Sequence, residues 1–349
     1  MSDTPAPVAA RPLAVTPGEP AGVGLDITLG LWAARTDATP PFFLIDDPDR
    51  VRHRARQLGR AAEIAVLDAP AETADAFSRA LPVLPHRFPA DSVPGHPDPA
   101  NGPATVDAIT RAVALVRGGA AAAIVTNPIQ KETLYQAGFD HPGHTEYLAA
   151  LSGPEVTPVM LLAAPALKVV PVTIHIPLSE VPRQLTTKAI VTTARITTAA
   201  LTRDFGIERP RLALAGLNPH AGEGGALGRE DGEVIAPAVA MLQSEGIDAR
   251  GPLPADTLFH EEARSTYDVV LGMYHDQVLV PLKTLDFWGG VNVTLGLPFV
   301  RTSPDHGTAL ALAGTGTARI DSLKAAVEMA DAMARRRAAA STVADTATR

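Results

Sequence analysis

Residues 268–316 read DVVLGMYHDQVLVPLKTLDFWGGVNVTLGLPFVRTSPDHGTALALAGTG, and the rest of the chain is organised around this stretch. Val269 to Met273 is an apolar run of the length expected for a buried strand. It ends in the polar cluster Tyr274-His275-Asp276. In open α/β sheets, ligands bind at the carboxyl ends of the strands. Lys283, Asn292, Arg301, Asp305 and His306 follow, interleaved with glycines. So many ionisable groups in a stretch read as loops point to the floor of an active site.

Outward from there, short apolar runs alternate with helical periodicity. Strands are expected at Leu13–Thr16, Phe42–Ile45, Ile64–Leu67, Ala122–Thr126, Val169–His175, Arg211–Leu217, Asp268–Met273 and Val291–Leu295. Helices are expected from Gly24 to about Ala34, and over Thr105–Val116, His144–Leu151, Thr187–Phe205, Val234–Ser244 and Ser322–Arg335. This alternation argues for an α/β fold with a mainly parallel core. At 349 residues, two lobes sharing a cleft suit the length. The proline-dense region from Leu81 to Ala104 reads as an irregular surface excursion. Residues 1–11 and 338–349 read as disordered tails.

Composition narrows the function. Hydrophobic residues make up 46% and charged residues 19%, the formal net charge is −8, and no basic block is present. Phosphate neutralisation on nucleic acid is therefore not expected. The chain has no cysteine, which excludes a disulfide framework and a thiol nucleophile and leaves His, Asp and Glu as metal ligands. No apolar run reaches the length of a membrane span, and MSDTPAPVAARP lacks the apolar core of a signal peptide. A cytoplasmic location is expected.

Three histidines follow strand signals in the same manner: His175 after VVPVTI, His220 after LALAGLNP and His275 after VVLGMY. Parallel strands present their carboxyl ends on one edge, so the three could converge there. Three imidazoles suit Zn²⁺, Co²⁺, Ni²⁺ or Mn²⁺, with an open position for substrate; isolated loop histidines are the alternative. TPGEPAGVG (16–24) is a glycine-rich strand-to-helix turn without the dinucleotide fingerprint. NPHAGEGGALGRED (218–231) is a glycine-rich loop that embeds His220 and Glu223. In GHTEYL (143–148), His144 or Thr145 stands where a helix starts, either as a cap or presented to an anion. Lys283 and Arg301 are cations in apolar surroundings and would suit anionic groups of a ligand. Asp256 and Asp276 are candidate proton acceptors or partners of histidine.

These segments carry a family resemblance. TPGEPAGVG, TNPIQKETLYQAGFDHPGHTEYL, GLNPHAGEGGALGRED, GPLPADTLF, YHDQVLVPLK, GVNVTLGLPFVRTSPDHGTA and LAGTG resemble, in order from Thr16 to Gly316, the 4-hydroxythreonine-4-phosphate dehydrogenase (PdxA) family. DHGTALALAGTG is also similar to the adenosine-side loop of isopropylmalate and isocitrate dehydrogenases, in the same superfamily. The resemblance implies a two-lobed α/β/α fold. The cofactor-side lobe would be 12–130 plus 293–337, and the substrate, metal and dimerisation lobe 131–292.

The resemblance also implies a homodimer with a shared active site and NAD(P)-dependent oxidation of 4-phosphooxy-L-threonine, followed by loss of CO₂. It places a divalent ion (Zn²⁺, Mg²⁺, Co²⁺ or Mn²⁺) on His175, His220 and His275, with His275 counted as catalytic. Substrate would be held by His144, Thr145, Lys283, Asn292 and Arg301. NAD or NADP would be held by Asp305, His306, Gly307, Thr308 and Ala309. Lys283 and Asp256 are further catalytic candidates, Asp256 for proton handling. Related activities on D-threonate or D-erythronate 4-phosphate or on aromatic cis-dihydrodiols, and a non-catalytic metabolite-binding module, are the alternatives.

Overall fold

The computed structural model describes residues 11–347 except positions 61 and 142, with side chains described to residue 340. Positions 1–10 and 348–349, assigned above to tails, lie outside the described residues. The chain divides into two compact units. Unit 1 comprises residues up to His144, Phe299–Arg301 and His306–Asp331; unit 2 comprises Thr145–Pro298, Thr302–Asp305 and residues from Ala332 onward.

Unit 1 holds strands β1 (Leu13–Thr16), β2 (Phe42–Asp46), β3 (Ile64–Val66), β4 (Leu81–Pro85) and β5 (Ile124–Thr126), in the spatial order β3-β4-β2-β1-β5. All their pairings are parallel. Every residue of β1 and β2 is buried. Parallel strands covered on both faces read as unbroken apolar runs, which is why these were visible in the sequence.

β4 corrects the expectation of an irregular excursion from Leu81. Its first four residues are buried although Pro82 and Pro85 lie in it. The ladder bonds recorded here are carried by other residues: Leu81 N donates to Glu63 O, Leu67 N to Val83 O and His86 N to Asp46 O. The prolines occupy the second and last positions, where little pairing is lost.

Unit 2 holds β6 (Val159–Ala164), β7 (Leu167–Thr173), β8 (Arg211–Ala215), β9 (Asp248–Leu253), β10 (Val269–Tyr274) and β11 (Val291–Leu295). β12 (Arg301–Pro304) joins them through Thr302–Pro304, and the order is β12-β11-β6-β7-β10-β8-β9. β7, β10, β8 and β9 are parallel, whereas β6, β11 and β12 pair antiparallel. Met160, Leu162, Val169, Val270, Val278 and Leu282 form its core.

A second correction concerns the opening stretch. His275–Leu285 is an α-helix starting directly at the end of β10, with Pro281 inside it, so Lys283 stands in a helix's last turn and not on a loop. Similarly, the helix Asp321–Ala347 continues through Ala338, where a tail was expected. No glycine or proline interrupts positions 317–349, so nothing local stops it. Among the described residues, no helix is long and apolar enough to cross a membrane.

Candidate active site

In unit 2, the three adjacent parallel strands β7, β10 and β8 carry the three histidines just beyond their carboxyl ends. Thr173 Oγ1 donates to Met273 O at 2.7 Å and ties β7 to β10 immediately before the histidines begin. The rings of His175 and His275 are neighbours, tilted by 43° with centroids 5.6 Å apart. His275 Nδ1 is 2.6 Å from Asp276 Oδ1. A carboxylate only accepts, so the proton sits on Nδ1 and Nε2 is left as the ligand atom.

The donor chemistry of this pair fits a divalent ion. His220 does not complete a set with it in one chain: among the described residues, no group of three His, Asp or Glu is placed to hold a metal. The sequence thus found the edge and the pair, and the structure leaves the third histidine apart from them.

His220 lies in a strained turn. His220, Ala221 and Glu223 have φ of 51°, 53° and 43°, and Gly222 and Gly224 share the left-handed region. Such a conformation costs a non-glycine residue about 1 kcal/mol or more and persists only when its surroundings enforce it. Buried Asp231 provides the enforcement. It accepts from Leu217 N at 2.8 Å, Asn218 N at 3.2 Å and Asn218 Nδ2 at 2.9 Å. Gly222 is required inside this clamp, because a Cβ there would lie 2.8 Å from Gly228 O and 3.2 Å from Asp231 Oδ2. Gln277 ties the loop to the His275 helix: Nε2 donates to Gly216 O and Oε1 accepts from Met273 N, each at 2.7 Å. Sequence reasoning missed Asp231 and Gln277, since neither residue type advertises a backbone-binding role.

The predicted substrate residues fall in both units. In unit 2, Lys283 Nζ pairs with the Asp305 carboxylate at 2.8 Å and also donates to Asp305 O at 3.1 Å. Asp305, expected with the cofactor loop, is thus engaged by a substrate candidate. Asn292 lies on β11 opposite Ser303 and Leu162. Thr145 stands inside the helix His144–Ser152, one residue past its start, and does not cap it. Asp256 is exposed on the short turn Ala255–Thr257.

In unit 1, Arg301 is 3% exposed, and its Nε and Nη2 donate to Thr126 Oγ1 at 3.1 and 2.6 Å, at the end of β5. Part of His144 reaches the surface, but its Nε2 is buried and has no hydrogen-bond partner among the described residues. Burial, and then the charges of Arg301 and Lys131, hold this imidazole well below its usual pKa, so it is neutral. Among the described residues, two further buried polar atoms at the same carboxyl edge also lack partners, Thr16 Oγ1 at the end of β1 and Asn127 Oδ1 just after β5. Buried polar groups are normally satisfied, and unsatisfied ones at a strand edge suit a polar ligand. Thr16 and Asn127 were not singled out from the sequence.

The cofactor candidates His306–Ala309 adjoin the turn after β1. Val23 N donates to Thr308 O at 3.0 Å, and Thr308 Oγ1 donates to Gln130 Oε1 at 3.1 Å. Gly18, at φ 69°, lets the turn pass the β5 exit: a Cβ there would stand 2.5 Å from Pro128 O. Glu19 accepts from Ala21 N at 3.0 Å, and burial raises its pKa.

The family model for pyridoxal phosphate biosynthetic protein PdxA matches residues 38–330. A 4-hydroxythreonine-4-phosphate dehydrogenase of Methylorubrum populi is 56% identical over 333 residues, covering 93% of this chain and 95% of that protein. The crystal structure of 4-hydroxythreonine-4-phosphate dehydrogenase from Klebsiella pneumoniae is 39% identical with a TM-score of 0.83, covering 93% of this chain and all of that one. A terephthalate 1,2-cis-dihydrodiol dehydrogenase from Burkholderia xenovorans is further away, at 27% identity and a TM-score of 0.63 over 93% and 98% of the two chains. With a family model spanning most of its length and a relative sharing over half its residues, the chain belongs to the PdxA family of pyridoxal phosphate biosynthetic proteins.

Proposed function

We propose that this protein oxidises the secondary alcohol of 4-phosphooxy-L-threonine with NAD(P)⁺, giving 2-amino-3-oxo-4-phosphooxybutanoate. The carbinol carbon gives up a hydride and its hydroxyl a proton. The product is a β-keto acid; breaking its C1–C2 bond releases CO₂, and C2 takes up a proton to give 3-amino-2-oxopropyl phosphate. The observation that carries this reading is the near-complete overlap, at 56% identity, with a relative named for this activity.

His175, His220 and His275 would hold a divalent ion, and Asp276 fixes the tautomer of His275 for that task. Such an ion would supply polarisation of the oxygen on the reacting carbon, and a nicotinamide would supply the hydride acceptor. The substrate has two anionic groups, a phosphate and a carboxylate, and Arg301 and Lys283 are the cations assigned to them. Neutral His144 adds a hydrogen bond at Nε2 without adding charge. Thr145 and Asn292 complete the substrate contacts, and His306–Ala309 contact the cofactor.

The protein acts as a cytoplasmic homodimer, in which the second copy supplies the ligand missing from each histidine pair. Val280, Leu285, Phe287 and Trp288 support this: they are exposed along the His275 helix and the turn after it, where a partner would cover them. The test is steady-state kinetics on 4-phosphooxy-L-threonine and the two phosphosugar acids, with metal added back after chelation. Turnover confined to the phosphosugar acids would refute the substrate assignment. Retention of both bound metal and rate by His275→Ala would refute the role given to the histidines.

A further inference from the structure

Two of the segments that carry the histidines are fastened to each other by one side chain that the reaction above leaves without a role, Gln277. It stands in the first turn of the helix His275–Leu285, two residues past His275. Its Oε1 reaches back over the strand-to-helix junction and accepts from Met273 N at 2.7 Å. A glutamine at the third helical position reaches back in this way in a capping box. Tyr274, the N-cap, offers no side-chain cap among the described residues, so the junction that carries His275 relies on Gln277. Gly272 makes room for the reach, since a Cβ there would stand 3.1 Å from Gln277 Oε1.

The other end of the amide, Nε2, donates to Gly216 O at 2.7 Å, at the exit of β8. The His220 turn is built on Gly216. Its N–H donates to Leu253 O at 2.7 Å, and a Cβ on it would lie 2.9 Å from Ala221 Cα and 3.0 Å from Ala221 Cβ. Ala221, next to His220, thus rests on the peptide that Gln277 holds, and Gly216 cannot shift without moving the left-handed turn above it. Asp231 takes the next two backbone N–H groups, those of Leu217 and Asn218. Asp231 therefore sets the shape of the turn, and Gln277 sets its place relative to β10. Thr173 does the corresponding work for His175, since its Oγ1 donates to Met273 O. Met273 is the common point: its N–H is held by the side chain that secures the exit of β8, and its carbonyl by the side chain that secures β7.

Metal ligands are oriented by groups one bond removed from the ion, and losing such a group typically lowers affinity by about 10–100-fold. An amide suits the task because it donates and accepts at once and brings no charge of its own. We propose that Gln277 is a positioning residue for the divalent ion: it locks the exit of β8, and His220 with it, to the junction that carries His275. The inference rests on the reading of the three histidines as metal ligands given above. In the homodimer proposed there, the histidine pair and His220 of one chain serve different sites, so each glutamine fixes how its chain presents ligands to both.

Calorimetric titration of the full-length protein with Zn²⁺ alone after chelation, together with the visible spectrum of the Co²⁺-loaded protein, tests it. Gln277→Glu keeps the shape and an acceptor for Met273 N but loses the donor to Gly216 O; Gln277→Met loses both. Zn²⁺ should bind about 10–100-fold more weakly to each. The Co²⁺ bands should move, and peptides covering 217–227 of the chelated protein should exchange hydrogen faster. Arg337→Ala, which breaks an ion pair with Asp204 elsewhere in unit 2, controls for stability alone and should leave Zn²⁺ affinity and the Co²⁺ bands unchanged. Should Gln277→Met prove unstable, the glutamate variant decides. Zn²⁺ affinity and Co²⁺ bands unaltered in Gln277→Glu, or altered equally by Arg337→Ala, overturn this inference alone. Failure of the unsubstituted protein to bind Zn²⁺, or undiminished binding by His275→Ala, overturns the reading of the histidines as well.

Discussion

Replacing Asp231 with alanine should free the loop that carries His220 while leaving the fold intact. The carboxylate is 2% exposed and accepts three hydrogen bonds, from Leu217 N, Asn218 N and Asn218 Nδ2. Hydrogen bonds to a charged group contribute about 1.5–3 kcal/mol each, so the clamp is worth roughly 4–9 kcal/mol before its donors find other partners. Against that stands the strain it enforces. His220, Ala221 and Glu223 sit at positive φ, and each returns about 1 kcal/mol when released. The difference, about 1–6 kcal/mol, is the expected global loss. Local opening needs only the clamp to fail and is assisted by the strain, so it should become easier by at least as much.

Hydrogen exchange followed by mass spectrometry separates the two effects. Peptides covering 217–227 should exchange at least about a hundredfold faster in Asp231→Ala, as a loss of about 3 kcal/mol implies. Peptides in β1 and β2 should change only by the global loss. Asp231→Asn preserves shape and one acceptor oxygen, and should fall between the two. Unchanged exchange at 217–227 in the alanine variant would show that the left-handed turn is held by something other than Asp231.

Gly18→Ala should cost at least about 3 kcal/mol in urea unfolding, since the new Cβ would lie 2.5 Å from Pro128 O at a left-handed φ; a change under about 1 kcal/mol would mean that the turn moves freely. His144 is kept neutral in the folded chain. Below about pH 6.5 the unfolded chain therefore binds a proton that the folded chain does not, and stability falls with pH by up to about 1.4 kcal/mol per unit. His144→Gln should flatten the stability profile between about pH 6.5 and 5, and an unaltered slope would contradict the burial of that ring. Asp204 is buried, and Arg337 and Arg203 overcome the effect of burial to hold its carboxyl low. Arg337→Ala should cost about 1–3 kcal/mol at neutral pH. That difference should shrink as pH falls through the depressed pKa of Asp204, and a difference independent of pH would refute the pairing.

The parts of the fold that could be read from sequence are those where burial dictates residue type. β1, β2 and β10 stand out because both faces of a parallel sheet are covered, so the run is apolar throughout. β4 was lost to its two prolines, although the non-proline residues carry its bonds. β9 (DARGPL) and β12 (RTSP) are written mostly in residues that also make loops. The site divides in the same way. Histidine at a strand's carboxyl end is a readable signal because few other roles need it there. Asp231, Gln277, Thr16 and Asn127 are not readable, because their work is to bond backbone atoms or line an edge that only the folded chain brings near. Asp305 shows the converse: its motif placed it with the cofactor loop, whereas its side chain meets Lys283.

The two cations read from the sequence as anion-binding residues differ physically in the fold. Lys283 is partly exposed and already faces the Asp305 carboxylate, so an anion arriving there competes with an anion the chain supplies. Arg301 is buried and donates to the hydroxyl of Thr126. Because the guanidinium is already out of water in the folded chain, an anion that reaches it meets little further desolvation on the protein side. Burial, and then that charge, keep His144 neutral, so the imidazole can hydrogen-bond a ligand without a second cation having to be buried beside the first. Arg301 is thus held out of water by the fold itself, whereas Lys283 is partly exposed, and recognition at Arg301 should be the less sensitive to salt.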